Sequence, residues 1–300
     1  MSVQAELVRL GLRCLLKPGN RADMTIIGRR QKEANFERWV PRPPVGTEVT
    51  SDAVGGIRAL RVATAASRQA ARHVLYLHGG GYVTGDPALY RHLLWRFAEA
   101  AAARVVAIAY RLAPEHPFPA ALDDATAAWH GMVAEGADPG RIAILGDSAG
   151  GGLTLALALR LRDEAAAQPA ALAAMSPWTD LALTGPSLRG NAAADPMMNA
   201  DDVPQLAASY LAGADPRHPY ASPLYGDPTG LPPTLIQVGS DEILRDDAVR
   251  MAERMRAAGC VVELEVWRRM PHVFQAFAMV MPEARRAIAR IGAFVRRHAG

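Results

Sequence analysis

The chain has 300 residues, half of them hydrophobic, which suits one large α/β domain with a small accessory lid better than two equal domains. Its net charge of +3 comes from 33 basic and 30 acidic side chains that are interspersed without a basic run, so no nucleic-acid partner is expected. Cys14 and Cys260 are the only cysteines and stand in no metal-like spacing, which argues against a disulfide scaffold or a zinc site and fits a reducing, cytoplasmic setting.

Residues 1 to about 40 read as helical. Val3, Leu7, Leu10 and Leu15 mark one helix and residues 22 to 39 a second, with Pro18-Gly19-Asn20 between them. Glu6, Arg9 and Arg13 interrupt the apolar residues, so no signal-peptide core is expected. No apolar run reaches the ~18 residues of a membrane span, and a soluble protein is expected. Pro41, Pro43 and Pro44 end the helical region. Its leucines, Phe36 and Trp39 require burial, so the segment is expected to pack over the rest of the protein as part of a lid.

Residues 45 to 63 alternate apolar and polar side chains around Gly55-Gly56, the pattern of an antiparallel hairpin at a sheet edge. Strands and helices then take turns: strand at 74–77, helix at 88–102, strand at 105–109, helix at 120–134, strand at 142–145, a helix after Gly152, and strand at 170–175. Residues 179 to about 230 break this rhythm with prolines, glycines and aspartates around one helix at 201–211, as an insertion over the sheet would. A strand at 235–238, a helix at 246–258, a last strand at 261–266 and an amphipathic helix at 283–297 restore it. The alternation predicts a mostly parallel, doubly wound sheet with right-handed crossovers.

In such a sheet ligands bind beyond the carboxyl ends of the strands. Gly146-Asp147-Ser148-Ala149-Gly150 stands at one of these ends and is G-x-S-x-G, the nucleophile-elbow pattern of α/β-hydrolases. Glycine at both outer positions lets a tight turn hold a strained serine with its hydroxyl exposed. With 9 serines and 26 glycines, chance supplies roughly 0.07 such matches, so context must decide against a plain small-residue turn.

Serine attacks at neutral pH only when a base within hydrogen-bond reach takes its proton. In this fold the chain order is serine, acid, histidine. His73, His78, His92, His116 and His130 precede Ser148, while His218 in the insertion and His298 near the end read as solvated. His272, in Met270-Pro271-His272-Val273-Phe274 directly after the last strand, is the base candidate. The acid is expected after the preceding strand, where Asp241 and Glu242 are adjacent and strand-end position leaves both open. Asp246 and Asp247 read as the first turn of a helix, a structural role.

His78-Gly79-Gly80-Gly81 follows the strand at 74–77. Successive glycines let backbone N–H groups approach a substrate, so the N–H groups of Gly80, Gly81 and Ala149 are the expected oxyanion-hole donors. His78 itself is expected to order this loop. Neither G-x-x-x-x-G-K-[ST] nor G-x-G-x-x-G occurs here, so no phosphate site is expected.

Together these residues resemble the hormone-sensitive-lipase-like (bacterial family IV) esterases of the α/β-hydrolase superfamily. The resemblance runs through HGGGY at 78 to 82, YRLAPEHPFPAALDD at 110 to 124, GDSAGG at 146 to 151, SPWTDL at 176 to 181, the acid segment and the His272 loop. It implies the α/β-hydrolase fold, a Ser-acid-His triad, hydrolysis of carboxylic esters without cofactor or metal, and dimers formed through the last strand and nearby helix. It also implies a cap from residues 1–44 and an insertion at 179–230, with the catalytic core in 45–178 and 231–300. The family segment G-x-x-D-P-L-R-D laid on Gly239 and Leu244-Arg245-Asp246 puts its aspartate at Glu242, which is therefore preferred over Asp241. A weaker similarity to monoterpene lactone hydrolases rests on no pocket residue.

The expected protein is thus a carboxylesterase in which Ser148, His272 and Glu242 cleave small to medium acyl esters through an acyl-enzyme. Tyr82, Trp178, Tyr210 and Phe274 are expected substrate-pocket residues, with Met197, Met198 and Leu211 further candidates. A lactone hydrolase using the same site and a non-catalytic small-ligand receptor on the same fold are the rival readings.

Overall fold

The short apolar runs form one eight-stranded sheet in the computed structural model, which describes residues 1–17 and 25–300. The break at Pro18-Gly19-Asn20 and the first residues of the second helix, 22 to 24, lie outside the described residues. The strands are β1 (Glu48–Val54), β2 (Ile57–Ala63), β3 (His73–Leu77), β4 (Arg104–Ile108), β5 (Ile142–Asp147), β6 (Ala171–Met175), β7 (Thr234–Gly239) and β8 (Val262–Trp267). Their order across the sheet is β1-β2-β4-β3-β5-β6-β7-β8. The first two pairings are antiparallel and the rest parallel, so the expected edge hairpin leads into a parallel sheet. β5, β6 and β7 are buried along their whole length, which is why their sequences read as apolar runs.

Helices α1 (Val3–Gly11) and α2 (Ile26–Glu37) precede the sheet. α3 (Arg91–Ala101), α4 (Ala120–Ala134), α5 (Ala149–Asp163), α6 (Ser187–Gly190), α7 (Val203–Leu211), α8 (Arg245–Ala257) and α9 (Pro282–His298) follow in chain order. Leu93 and Phe97 of α3 pack with Ile288 and Phe294 of α9 on one face. Trp129 of α4, the leucines of α5 and Met251 of α8 fill the other. The helix expected after Gly152 begins earlier, at Ala149, so three successive glycines form its first turn. That leaves no residue between Ser148 and the helix.

α1 departs from expectation. Its leucines do not face inward: Leu7 and Leu10 are 63% and 59% exposed, and Trp39 is 72% exposed. The buried residues of α1 are Ala5 and Arg9. Burying a leucine contributes roughly 1.5–3 kcal/mol, which α1 forgoes at both positions. Polar bonds anchor it instead. The Ser2 N–H and hydroxyl donate to the Glu283 carboxylate at 2.6 and 2.8 Å, and Arg13 and Lys17 donate to carbonyls of residues 192 to 195. Arginine carries directional donors that leucine lacks, so the face of α1 that meets acceptors turns inward.

The segment at 179–230 and the N-terminal helices meet one another. Arg29 of α2 pairs with Asp202 at 3.1 Å, and Arg30 donates to the carbonyls of Val83 and Ala113 and pairs with Glu115. α7 lies over the glycine loop after β3, where Tyr210 stacks on Tyr82 with centroids 3.7 Å apart. Asp247, read from sequence as an ordinary first-turn residue, also holds the start of the insertion by accepting the N–H groups of Thr179 and Asp180.

Candidate active site

Three strand ends converge on one spot. Ser148 directly follows β5 with φ 54° and ψ −121°, a positive-φ conformation forced by the immediate turn into α5. The turn is tight enough that a Cβ at Gly146 would lie 2.2 Å from the Gly150 carbonyl oxygen, and one at Gly150 would lie 2.0 Å from that of Leu77. Only glycine fits either place. The Ser148 N–H is fixed by the Met175 carbonyl of β6 at 2.9 Å.

His272 Nε2 lies 2.9 Å from Ser148 Oγ, and its Nδ1 lies 2.8 Å from Glu242 Oε2. A carboxylate accepts, so Nδ1 carries the proton and Nε2 is free to accept from the serine hydroxyl. The other Glu242 oxygen accepts from Ser176 Oγ at 2.8 Å and from the Gly239 N–H. Ser176 in turn accepts the Val273 N–H at 3.1 Å, tying acid and base loops together. This chain of bonds can move the serine proton onto the imidazole.

Burial works against a charged imidazole, but the hydrogen bond and charge of Glu242, with Asp195 and Asp147 further off, outweigh it and raise the His272 pKa above its ordinary value. Burial likewise pushes the Glu242 carboxyl up, against the bonds from His272, Gly239 and Ser176.

Of the two adjacent carboxylates, only Glu242 meets His272. Asp241 faces Arg9 of α1, with Oδ2 2.9 Å from the guanidinium. The extra methylene of glutamate reaches inward from a turn whose preceding residue points out.

The glycine loop is held from below. Asp147, the unassigned residue of G-x-S-x-G, accepts the Gly79 N–H at 3.0 Å and the Tyr76 hydroxyl at 2.6 Å. Burial lifts its carboxyl to about 6. Gly80 (φ 115°) and Gly81 (φ 62°) then turn back over the site, and the Gly80 carbonyl accepts the N–H groups of Val83 and Thr84. Among the described residues, the N–H groups of Gly80, Gly81 and Ala149 donate to no other group. His78 donates from Nδ1 to the Gly79 carbonyl at 2.7 Å and stacks on Tyr110. Its pKa is lowered to about 4 by burial, so it is neutral and serves the loop.

Tyr82, Trp178 and Tyr210 form one aromatic group beside this loop, with Tyr82 6.2 Å from Trp178 between ring centroids. Phe274 stands apart from them. It packs with Trp267 in the apolar cluster beneath α9. The left-handed Val273 (φ 48°) lets His272 face Ser148 while Phe274 enters the core. Sequence reasoning assigned no role to Ser176 or Asp147. Their signal was position alone: each stands at the carboxyl end of a central strand.

Residues 74–276 match a family model described as the α/β-hydrolase fold. A crystal structure of an esterase from the bacterial hormone-sensitive lipase family superposes with a TM-score of 0.94 at 42% identity, covering 100% of this chain and 99% of that one. The chain belongs to the bacterial hormone-sensitive lipase family of α/β-hydrolases. Curated relatives include an acetyl-hydrolase of Streptomyces hygroscopicus, 48% identical over 234 residues, 78% of each chain. An esterase of Acinetobacter venetianus is 36% identical over 258 residues, 86% of this chain and 84% of its own. Membership makes this hydrolase an enzyme of the carboxylic ester hydrolase class. No described helix is long and apolar enough to cross a membrane.

Proposed function

We propose that the hydrolase is a serine carboxylesterase in which Ser148 attacks the ester carbonyl, His272 takes and returns the proton, and Glu242 holds the imidazole. The observation that carries this reading is the unbroken chain from Ser148 Oγ through His272 to Glu242, with contacts of 2.9 and 2.8 Å. The serine oxygen bonds to the acyl carbon as its proton passes to Nε2. Collapse of the tetrahedral adduct expels the alcohol, which takes that proton. Water, deprotonated by the same nitrogen, then releases the acid and frees the serine. The N–H groups of Gly80, Gly81 and Ala149 carry the oxyanion. The described residues of 1–44 and the insertion at 179–230 together form the cap.

The substrates are small to medium acyl esters. Tyr82 and Tyr210, stacked on one another beside the glycine loop, and Trp178 are the side chains nearest that loop from which an acyl pocket would be built, and the acetyl-hydrolase relative supports a short acyl group. Lactone hydrolysis is the second reading, since the same adduct forms from a cyclic ester. A panel of linear acyl esters of graded length, run beside lactones, tests both. Highest kcat/KM on short linear esters supports the first reading, and highest kcat/KM on lactones replaces it. The free thiols of Cys14 and Cys260 agree with a cytoplasmic setting. The edge strand β8 with α9 is the surface for a homodimer.

Two further results are expected. The base must be neutral to act, so kcat/KM falls as pH drops through the His272 pKa. Because that pKa is raised, the midpoint of the acid limb should lie above the ordinary ~6.5 of histidine. A pH–rate profile measures it directly.

A methyl group at Gly80 would sit 2.2 Å from the Thr84 carbonyl oxygen, at a φ that alanine rarely adopts. Gly80→Ala should therefore displace the oxyanion donors and lower kcat by about 10²–10³, with a smaller change in KM. Steady-state kinetics on a short ester checks this, and an unchanged kcat removes Gly80 from the oxyanion hole.

A further inference from the structure

Arg9 is 8% exposed, and the catalytic sequence proposed above makes no use of it. Arginine is rarely buried unless its donors are satisfied. Here they join two loops. The guanidinium meets Asp241 Oδ2 at 2.9 Å on one side and donates to the Arg269 carbonyl at 2.7 Å on the other. Between these loops the Ser240 hydroxyl donates to Asp241 Oδ1 and accepts the Arg269 N–H, each at 2.8 Å. Asp241 immediately precedes Glu242, and Arg269 stands three residues before His272.

We propose that Arg9 is a positioning residue for ester hydrolysis, a brace through which α1 holds the Glu242 turn and the His272 loop in a fixed relation. The inference rests on the triad reading above. The insertion secures the opposite side of the same turn. Asn191 donates to the carbonyls of Ser240 and Glu242 at 3.1 and 2.8 Å, and Asp195 accepts the Ile243 N–H at 3.0 Å. The acid turn is thus gripped from both parts of the proposed cap. On the α1 side a half-exposed Glu6–Arg269 ion pair at 3.3 Å reaches the His272 loop alone, whereas the buried Arg9 reaches both loops. A planar guanidinium can serve a carboxylate and a carbonyl at once, whereas a lysine ammonium offers a point charge on a flexible stem.

The test compares full-length wild type with Arg9→Met, Arg9→Lys, Asp241→Ala and Arg13→Met on a short acyl ester across the acid limb. Arg13, just beyond the end of α1, donates among the described residues to the Ala193 and Ala194 carbonyls and touches neither Asp241 nor Arg269. Arg9→Met and Asp241→Ala should each lower kcat about 10-fold or more, with KM changing less, because small misplacements of catalytic groups are costly. Their acid limb should move to lower pH. Glu242, Asp195 and Asp147 are the charged groups acting on His272, and a loosened Glu242 bond lets the imidazole relax toward its ordinary value. Arg9→Lys should recover part of kcat, and Arg13→Met should leave both kcat and the limb in place.

A folded Arg9→Met enzyme with wild-type kcat and an unmoved limb overturns the brace. So does an equal loss in Arg13→Met, which would reduce Arg9 to general anchoring of α1. If Arg9→Met does not fold, Asp241→Ala decides by the same criteria. Ser148→Ala in the same assay separates the two ideas. Turnover that survives it sinks the triad and the brace together, whereas normal kinetics in Arg9→Met of an enzyme silenced by Ser148→Ala sinks the brace alone.

Discussion

Ester turnover should fall by about 10⁵-fold or more when Ser148 is replaced by alanine, while the protein stays folded. Removing the nucleophile of a serine triad costs nearly as much as removing all three members, because they act as a unit. The substitution deletes one oxygen and leaves the backbone of the elbow intact. Its N–H bond to Met175 and the carbonyl bonds to Gly152 and Trp178 do not involve the side chain. Alanine is also smaller than the residue it replaces, so the site gains no clash. Circular dichroism and thermal unfolding should match wild type, which assigns the loss to chemistry. Activity near wild type in the folded variant would remove Ser148 as the nucleophile and leave the glycine loop without its role.

The second large effect is expected at the acid, and it separates two neighbours. Glu242→Gln should lower kcat by about 10³–10⁴. Glutamine is isosteric and can still accept from Gly239 and Ser176 with its carbonyl. Its NH₂ would then face His272 Nδ1 and donate to it, which moves the ring proton to Nε2. That nitrogen points at Ser148 and could no longer accept the hydroxyl proton. The loss would come from the wrong tautomer in an otherwise unchanged site. Asp241→Ala should cost only about 10-fold, through Arg9, since misplacement is milder than loss of the acid. Kinetics of the two variants on one ester ranks them. A reversed ranking would transfer the acid role to Asp241 and leave the observed His272–Glu242 bond without catalytic meaning.

Much of this protein was legible in the order of its residues. The alternation of apolar runs with helical spacing predicted a mostly parallel sheet, and β3, β5, β6 and β7 fall where the runs do, because a strand buried on both faces must be apolar throughout. Ser148 and His272 were singled out by chain order and strand-end position. Both are local properties: one depends on a turn that only glycines permit, the other on a connection of a few residues.

The remainder depended on distance. Nothing in the pattern of α1 reveals that its leucines stay in water while Arg9 turns inward, since amphipathic spacing specifies a face but not the acceptors that face will meet. Asp241 and Glu242 are neighbours in every local respect, and only a family register favoured one. The bonds of Ser176, Asp147 and Arg9 likewise join residues 66, 68 and 232 positions apart along the chain. Sequence determined the strands, the glycine turns and the candidate serine and histidine, because each follows from backbone sterics or burial over a few residues. Tertiary structure decided that Glu242 reaches the imidazole while Asp241 turns to Arg9. Hydrogen bonds act over about 3 Å, and only packing brings distant side chains within that range.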